Sequence, residues 1–138
     1  VCYEETIIKF KPKNIQPIVT DGDLLDALIF VESRGNDSAI GDRHLVGNEA
    51  VGALQIRPIM VREVNRICKR IGSHQRFALK DRFDRDKSVH MFLIWKEFHH
   101  KDSSLEKIAR NWNGGPKGYK KDRTVKYWNK IEKQLNNE

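Results

Sequence analysis

The sequence predicts a mainly α fold, a single helical domain with a small β-hairpin or loop insertion near residues 36–50. Three observations predict it. Five stretches between Asp21 and Leu135 repeat apolar residues at helical spacing. Residues 36–50 break that period with Gly, Asn and Asp around the short apolar groups Ile40 and Leu45-Val46. The length of 138 residues suits one core, because two would each be too small to bury enough apolar surface.

The elements follow in order. Residues 1–20 hold Pro12 and Pro17 and no helical period, and read as an extended N-terminal leader to a domain over 21–138. The first helix starts at Asp21 with Thr20 or Asp21 as its cap, presents Leu24, Leu25, Leu28, Ile29 and Glu32 on one face, and breaks at Gly35-Asn36-Asp37. After the insertion, Pro58 suits a first helical turn, and the stripe Ile59, Met60, Val64, Ile67, Cys68, Ile71 ends at Gly72. A third helix starts near Asp86 and carries Val89, Phe92, Leu93 and Lys96. A fourth, capped by Ser103 or Ser104, carries Leu105, Ile108, Ala109 and Trp112, and the Asn113–Gly118 loop stops it. The last, capped by Asp122, carries Thr124, Trp128, Ile131 and Leu135.

Composition excludes several classes. No apolar run is long enough to span a bilayer. Cys2 and Cys68 allow one bridge at most, which rules out a disulfide-built scaffold. No Cys-x-x-Cys pair exists, and the adjacent His99 and His100 point to different helix faces, so they read as surface residues; no metal and no cofactor is implied. Asp81–Asp86 alternates in sign and reads as a charge-laced loop and helix start. The excess of 26 Lys and Arg over 19 Asp and Glu attracts polyanions: nucleic acid, anionic lipid or an acidic wall polymer. Nucleic acid is the weaker choice, since the basic residues are spread along the chain and no nucleic-acid-binding motif is present.

Glu32 is the residue on which chemistry converges. It projects from an apolar stripe, and apolar neighbours disfavour the ionised form of a carboxyl, making it a proton donor near neutral pH. Pairing with Arg34 at the helix end is the structural alternative. Glu32-Ser33-Arg34-Gly35 is followed by Gly52-Ala53-Leu54-Gln55-Ile56, then by Trp112-Asn113-Gly114-Gly115-Pro116, then by Thr124-Val125-Lys126-Tyr127-Trp128. In this order and spacing, over residues 22–135, the chain resembles the lysozyme-like superfamily, within it the lytic transglycosylase and goose-type lysozyme group. Ala39-Ile40-Gly41-Asp42 and the run from Asn113 into Thr124-x-x-Tyr127-Trp128 are most similar to invertebrate-type, destabilase-like lysozymes.

The resemblance implies an α+β lysozyme-like catalytic domain that cleaves the β-1,4 bond between N-acetylmuramic acid and N-acetylglucosamine, a bacteriolytic muramidase with Glu32 as general acid. Its partners would be peptidoglycan glycan strands, with chitin oligomers as a second class, in an extracellular, periplasmic, virion or cell-wall setting. Gln55, Asn113, Tyr127, Gly52 and Trp112 would form the substrate-binding set: amides for acetamido groups, a glycine for close approach of sugar, a tyrosine to orient Glu32 and an aromatic to stack. Asp42 would be the second carboxylate of a hydrolase, with Asp37 and Glu49 as rivals. Without one, the sugar's own hydroxyl would complete a lytic transglycosylation, and hydrolysis is narrowly preferred. The chain departs from the pattern at residues 43–49, a longer connection than the family's, and at Trp112, where the family has Tyr. The alternative to an enzyme is a non-catalytic basic module that binds cell wall or nucleic acid.

Overall fold

The computed structural model describes residues 19–136; all but Val19 and Thr20 of the predicted leader, and Cys2 with it, lie outside the described residues. The fold is mainly α with one small antiparallel sheet. Five α-helices, α1 (Asp21–Ser33), α2 (Pro58–Arg70), α3 (Arg85–His99), α4 (Leu105–Gly114) and α5 (Arg123–Asn136), make up most of the described residues, and a hairpin of β1 (Ile40–Gly41) and β2 (Ala50–Val51) lies between α1 and α2 in the chain. Ile40 pairs with Val51 and Gly41 with Ala50. Short 3-10 turns at Leu79–Phe83 and Gly118–Lys120 precede α3 and α5.

Local chemistry sets the helix ends. Thr20 caps α1 in a reciprocal box: its hydroxyl accepts from the Asp23 N–H and the Asp23 carboxylate accepts from the Thr20 N–H. Arg34 closes α1 in the left-handed region at φ 54°, with its N–H donating to the Ile29 and Phe30 carbonyls. Pro58 opens α2, where its missing N–H would have been unsatisfied anyway. The cap of α3 is Asp84, two residues before the expected start, and Ser104 caps α4.

Packing joins α1 to α5 and α4, α2 to α3, and α4 to α5. One apolar core contains Leu24, Leu28, Leu54, Ile56, Val64, Met91, Phe92, Ile108 and Ile131, all essentially inaccessible to solvent. The expected face of α3 is rotated: Leu93 is exposed, whereas Ser88, Met91, Phe92 and Trp95 are buried. Lys96 is buried as well, and its ammonium reaches Asp21 at 2.7 Å, tying α3 to the start of α1.

Two expectations about charged segments are corrected. The segment read as a charge-laced loop buries Asp81 and Arg82. The Arg82 guanidinium donates to the carbonyls of Leu79 (2.9 Å), Glu49 (3.0 Å) and Ile56 (3.0 Å), stitching the 3-10 turn to the hairpin. Such charge-assisted bonds offset the desolvation of the cation. His100, read as a surface residue, is buried, with Nδ1 2.9 Å from the Ser103 hydroxyl and its ring against Trp95. His99 stays at the surface beside Glu63, at 2.6 Å.

Candidate functional site

A cleft of about 310 Å³ opens between the hairpin, the start of α2 and the end of α4. Glu32, in the last turn of α1, forms part of its wall. The residue as a whole is half-buried, and its carboxyl is the enclosed end. Burial pushes the carboxyl from its ordinary 4.5 up to about 7; the Tyr127 hydrogen bond and Arg57 oppose that rise and Asp42 adds to it. At neutral pH a large share of Glu32 therefore carries its proton and can donate it in a hydrogen bond to an ether, hydroxyl or carbonyl oxygen.

The supports of Glu32 explain the sequence around it. Tyr127, buried in α5, donates its hydroxyl to Glu32 Oε2 at 3.1 Å across 95 residues of chain. Burial, then the charge of Glu32 and their hydrogen bond, push the phenol well above its usual 10, so it remains a donor over any practical pH. Ser33 ties the end of α1 to the next motif, its hydroxyl 3.1 Å from the Ile29 carbonyl and 2.8 Å from that of Ala53. Arg34 does not take up Glu32; its guanidinium lies over the Phe30 ring at 5.1 Å.

The structure brings most of the candidate residues together. Glu32, Asp42, Gln55, Trp112 and Asn113 all line the cleft; Gly52 and Tyr127 do not. Asp42 sits at φ 54° in the turn after β1, and its carboxylate is held in an ion pair by Arg57. Of its rivals, Asp37 pairs with Arg85 at 2.7 Å, and neither it nor Glu49 reaches the cleft wall. Gln55, at φ 51°, uses its side-chain amide hydrogens on the Ala39 and Gly52 carbonyls at 3.2 and 3.0 Å, and so holds the hairpin. Only its Oε1 remains to meet a ligand. Gly52 serves packing and not close approach of a ligand: at φ 87° it is pressed so tightly against the Arg82 carbonyl that a Cβ would overlap the oxygen. Trp112 stacks edge-on with Phe92 and Trp95, centroids 5.0 Å apart in both cases, and also borders the cleft. Asn113 is exposed in the last turn of α4. Thr124, in the fourth motif, is buried and structural, donating to the Gly118 carbonyl at 2.7 Å and accepting from Arg110 Nε at 2.9 Å.

Sequence reasoning missed two polar side chains of the cleft, Asn111 and Arg57. Asn111 is buried and accepts the Tyr119 N–H at 2.8 Å, fixing the loop that follows α4. Arg57 stands between Ile56 and Pro58; a residue before proline is driven to extended backbone, and φ −91°, ψ 158° there aims it out of the helix line.

No protein-family profile matches the chain, and no curated protein does. Among solved structures the chain resembles a chain of the crystal structure of Aeromonas hydrophila PliI in complex with Meretrix lusoria lysozyme. The TM-score is 0.65 and the identity 20%, over 86% of this chain and 93% of the other. At that identity the likeness establishes the fold alone. PliI is an inhibitor of lysozyme, so the matched structure is an inhibitor assembled with its target protein. On this finding the expectation of a peptidoglycan-cleaving enzyme is corrected: neither lysozyme-type hydrolysis nor lytic transglycosylation, nor the muramidase and bacteriolytic character attached to them, is retained as the function of this chain. No described helix is long and apolar enough to cross a membrane.

Proposed function

We propose that the chain is a lysozyme-like domain whose cleft holds an N-acetylated glycan strand, of the chemistry shared by peptidoglycan and chitin, in an extracellular, periplasmic or wall-associated setting. The observation that carries this reading is the enclosed Glu32 carboxyl, backed by the Tyr127 hydroxyl and raised to about 7, in a cleft that Gln55, Asn113 and Trp112 also line. Sugars bring apolar ring faces and many acceptor oxygens, which suit an aromatic side chain beside neutral donors. Turnover is not part of the proposal.

Calorimetric titration with chitotetraose and with a peptide-free peptidoglycan tetrasaccharide tests it. Saturable binding is expected, weakened at least threefold in Glu32→Ala. Absence of binding to both would refute the reading. Shortened fragments in the mass spectrum of the wild-type mixture, and none with Glu32→Gln, would show turnover in place of binding alone.

A second reading, a protein partner at the mouth of the cleft, is favoured by one observation. Val46, 89% exposed, sits on the loop that Arg57 pins at Asn48, and Ile59, 63% exposed, lines the cleft. Exposed apolar side chains on the hairpin loop and on the cleft wall suit a protein interface. Size-exclusion chromatography with a lysozyme, and separately with PliI, tests it. A complex with either is the expected result and its composition shows which side of such an assembly this chain occupies; two unshifted profiles would refute it.

A further inference from the structure

Arg57 is the one cation on a cleft wall whose acids are Glu32 and Asp42, among the described residues. Its guanidinium is fixed from two sides. Nη1 donates to the Asn48 carbonyl at 2.7 Å and Nη2 pairs with the Asp42 carboxylate. Nε–H takes part in no hydrogen bond among the described residues, and both side chains are solvent-accessible, Arg57 at 34% and Asp42 at 42%. A neutral sugar chain gives a guanidinium no ionic partner. A chain bearing carboxylates does, and a planar fork of N–H donors matches a carboxylate in two-point geometry.

Resting on the glycan reading above, we propose that Arg57 is the specificity-determining residue of the cleft, selecting glycan strands that carry carboxylates over neutral chitin-like strands. Asp42 is its stand-in anion: it keeps the guanidinium oriented and yields to the ligand's carboxylate, moving out into the solvent that it already meets. One ion pair is thereby exchanged for another. Asp42 takes Nη2 alone, whereas a ligand carboxylate can take Nη2 and Nε together, so the exchange leaves a net preference, up to about fivefold for a partly exposed pair, and it falls with salt.

The test compares Kd for chitotetraose with Kd for the peptide-free N-acetylglucosamine–N-acetylmuramic acid tetrasaccharide, whose lactyl carboxylates are free, by calorimetry at low salt. The wild type is expected to prefer the anionic strand roughly threefold or more. Arg57→Gln is expected to bring the ratio to about one, and Asp42→Asn, which removes the competing anion, to widen it. Should Arg57→Gln fail to fold, Asp42→Asn decides alone. An equal ratio in the wild type, or one that neither variant moves, overturns the assignment while leaving glycan binding intact. Wild-type protein that binds neither strand refutes the underlying reading instead.

Discussion

Replacing Glu32 by Gln should make the protein more stable at pH 8 and leave it almost unchanged at pH 4. Glutamine keeps the shape of the side chain, and its carbonyl oxygen can still accept from the Tyr127 hydroxyl, so what the substitution removes is a charge. Folding raises the carboxyl from 4.5 to about 7, so the folded chain binds this proton more tightly than the unfolded one. Stability from that source is fully present below pH 4.5 and is lost as pH rises through 7. The loss is the free energy of about 2.5 pKa units, or about 3 kcal/mol. For a domain of this size that is roughly 10 °C in Tm. Thermal melts of wild type and Glu32→Gln at pH 4 and pH 8 cancel every other titrating group between the two proteins. The excess Tm of the variant should be near zero at pH 4 and about 10 °C at pH 8. An increment of equal size at both pH values would show that Glu32 is not desolvated by folding, and the account of the site would fall with it.

Three further outcomes are expected. Tyr127→Phe removes the hydrogen bond that opposes the rise, so the Glu32 midpoint, followed by carbon-13 NMR of labelled glutamate, should move above 7; an unmoved midpoint would contradict the 3.1 Å contact. Gly52→Ala must both occupy a positive φ and displace the Arg82 carbonyl, and should cost about 2 kcal/mol or more in denaturant unfolding; a loss near zero would refute the packing described. Glu63 is held down to about 2 by its Arg66 hydrogen bonds first and by His99 second. Its contribution is present above pH 4.5 and is lost as pH falls through 2, and solvent keeps it under about 1 kcal/mol, so Glu63→Gln should matter slightly at pH 7 and not at pH 2. A variant whose deficit persists at pH 2 would contradict this origin.

The helices were legible because each carries a local signal: Thr20 and Ser104 as caps, Pro58 at a first turn, and stripes such as Leu24, Leu28 and Ile29 that recur with the helical period. The two-stranded hairpin was legible from its breakers. The sequence was silent where a role depends on a distant partner. Asp81-Arg82 has the pattern of a solvated loop, and nothing local reveals that Arg82 satisfies carbonyls 33 and 26 residues upstream. Gly52 and Gln55 stand where a cleft residue was expected, but the Arg82 carbonyl and the hairpin backbone account for the glycine and for the amide. Arg57 carries no motif, and its importance comes from where the pre-proline backbone sends it. The rotated face of α3 has the same cause: Ser88 is drawn inward by its hydrogen bond to the Arg82 carbonyl at 3.0 Å and Met91 joins the core, which leaves the more apolar Leu93 outside.

The link between Glu32 and Tyr127 also sets an order of assembly. Glu32 leaves the ribosome early, on α1, and its phenol partner arrives 95 residues later on the last helix. Until α5 docks, the side of Glu32 that this helix covers is open to water, and hydration draws the carboxyl back towards its ordinary acidity by more than the missing Tyr127 hydrogen bond would raise it. The unusual proton affinity of the cleft therefore depends on α5 being docked on α1. With α5 undocked the same glutamate is more open to water and more acidic, and docking of that helix raises its hold on the proton.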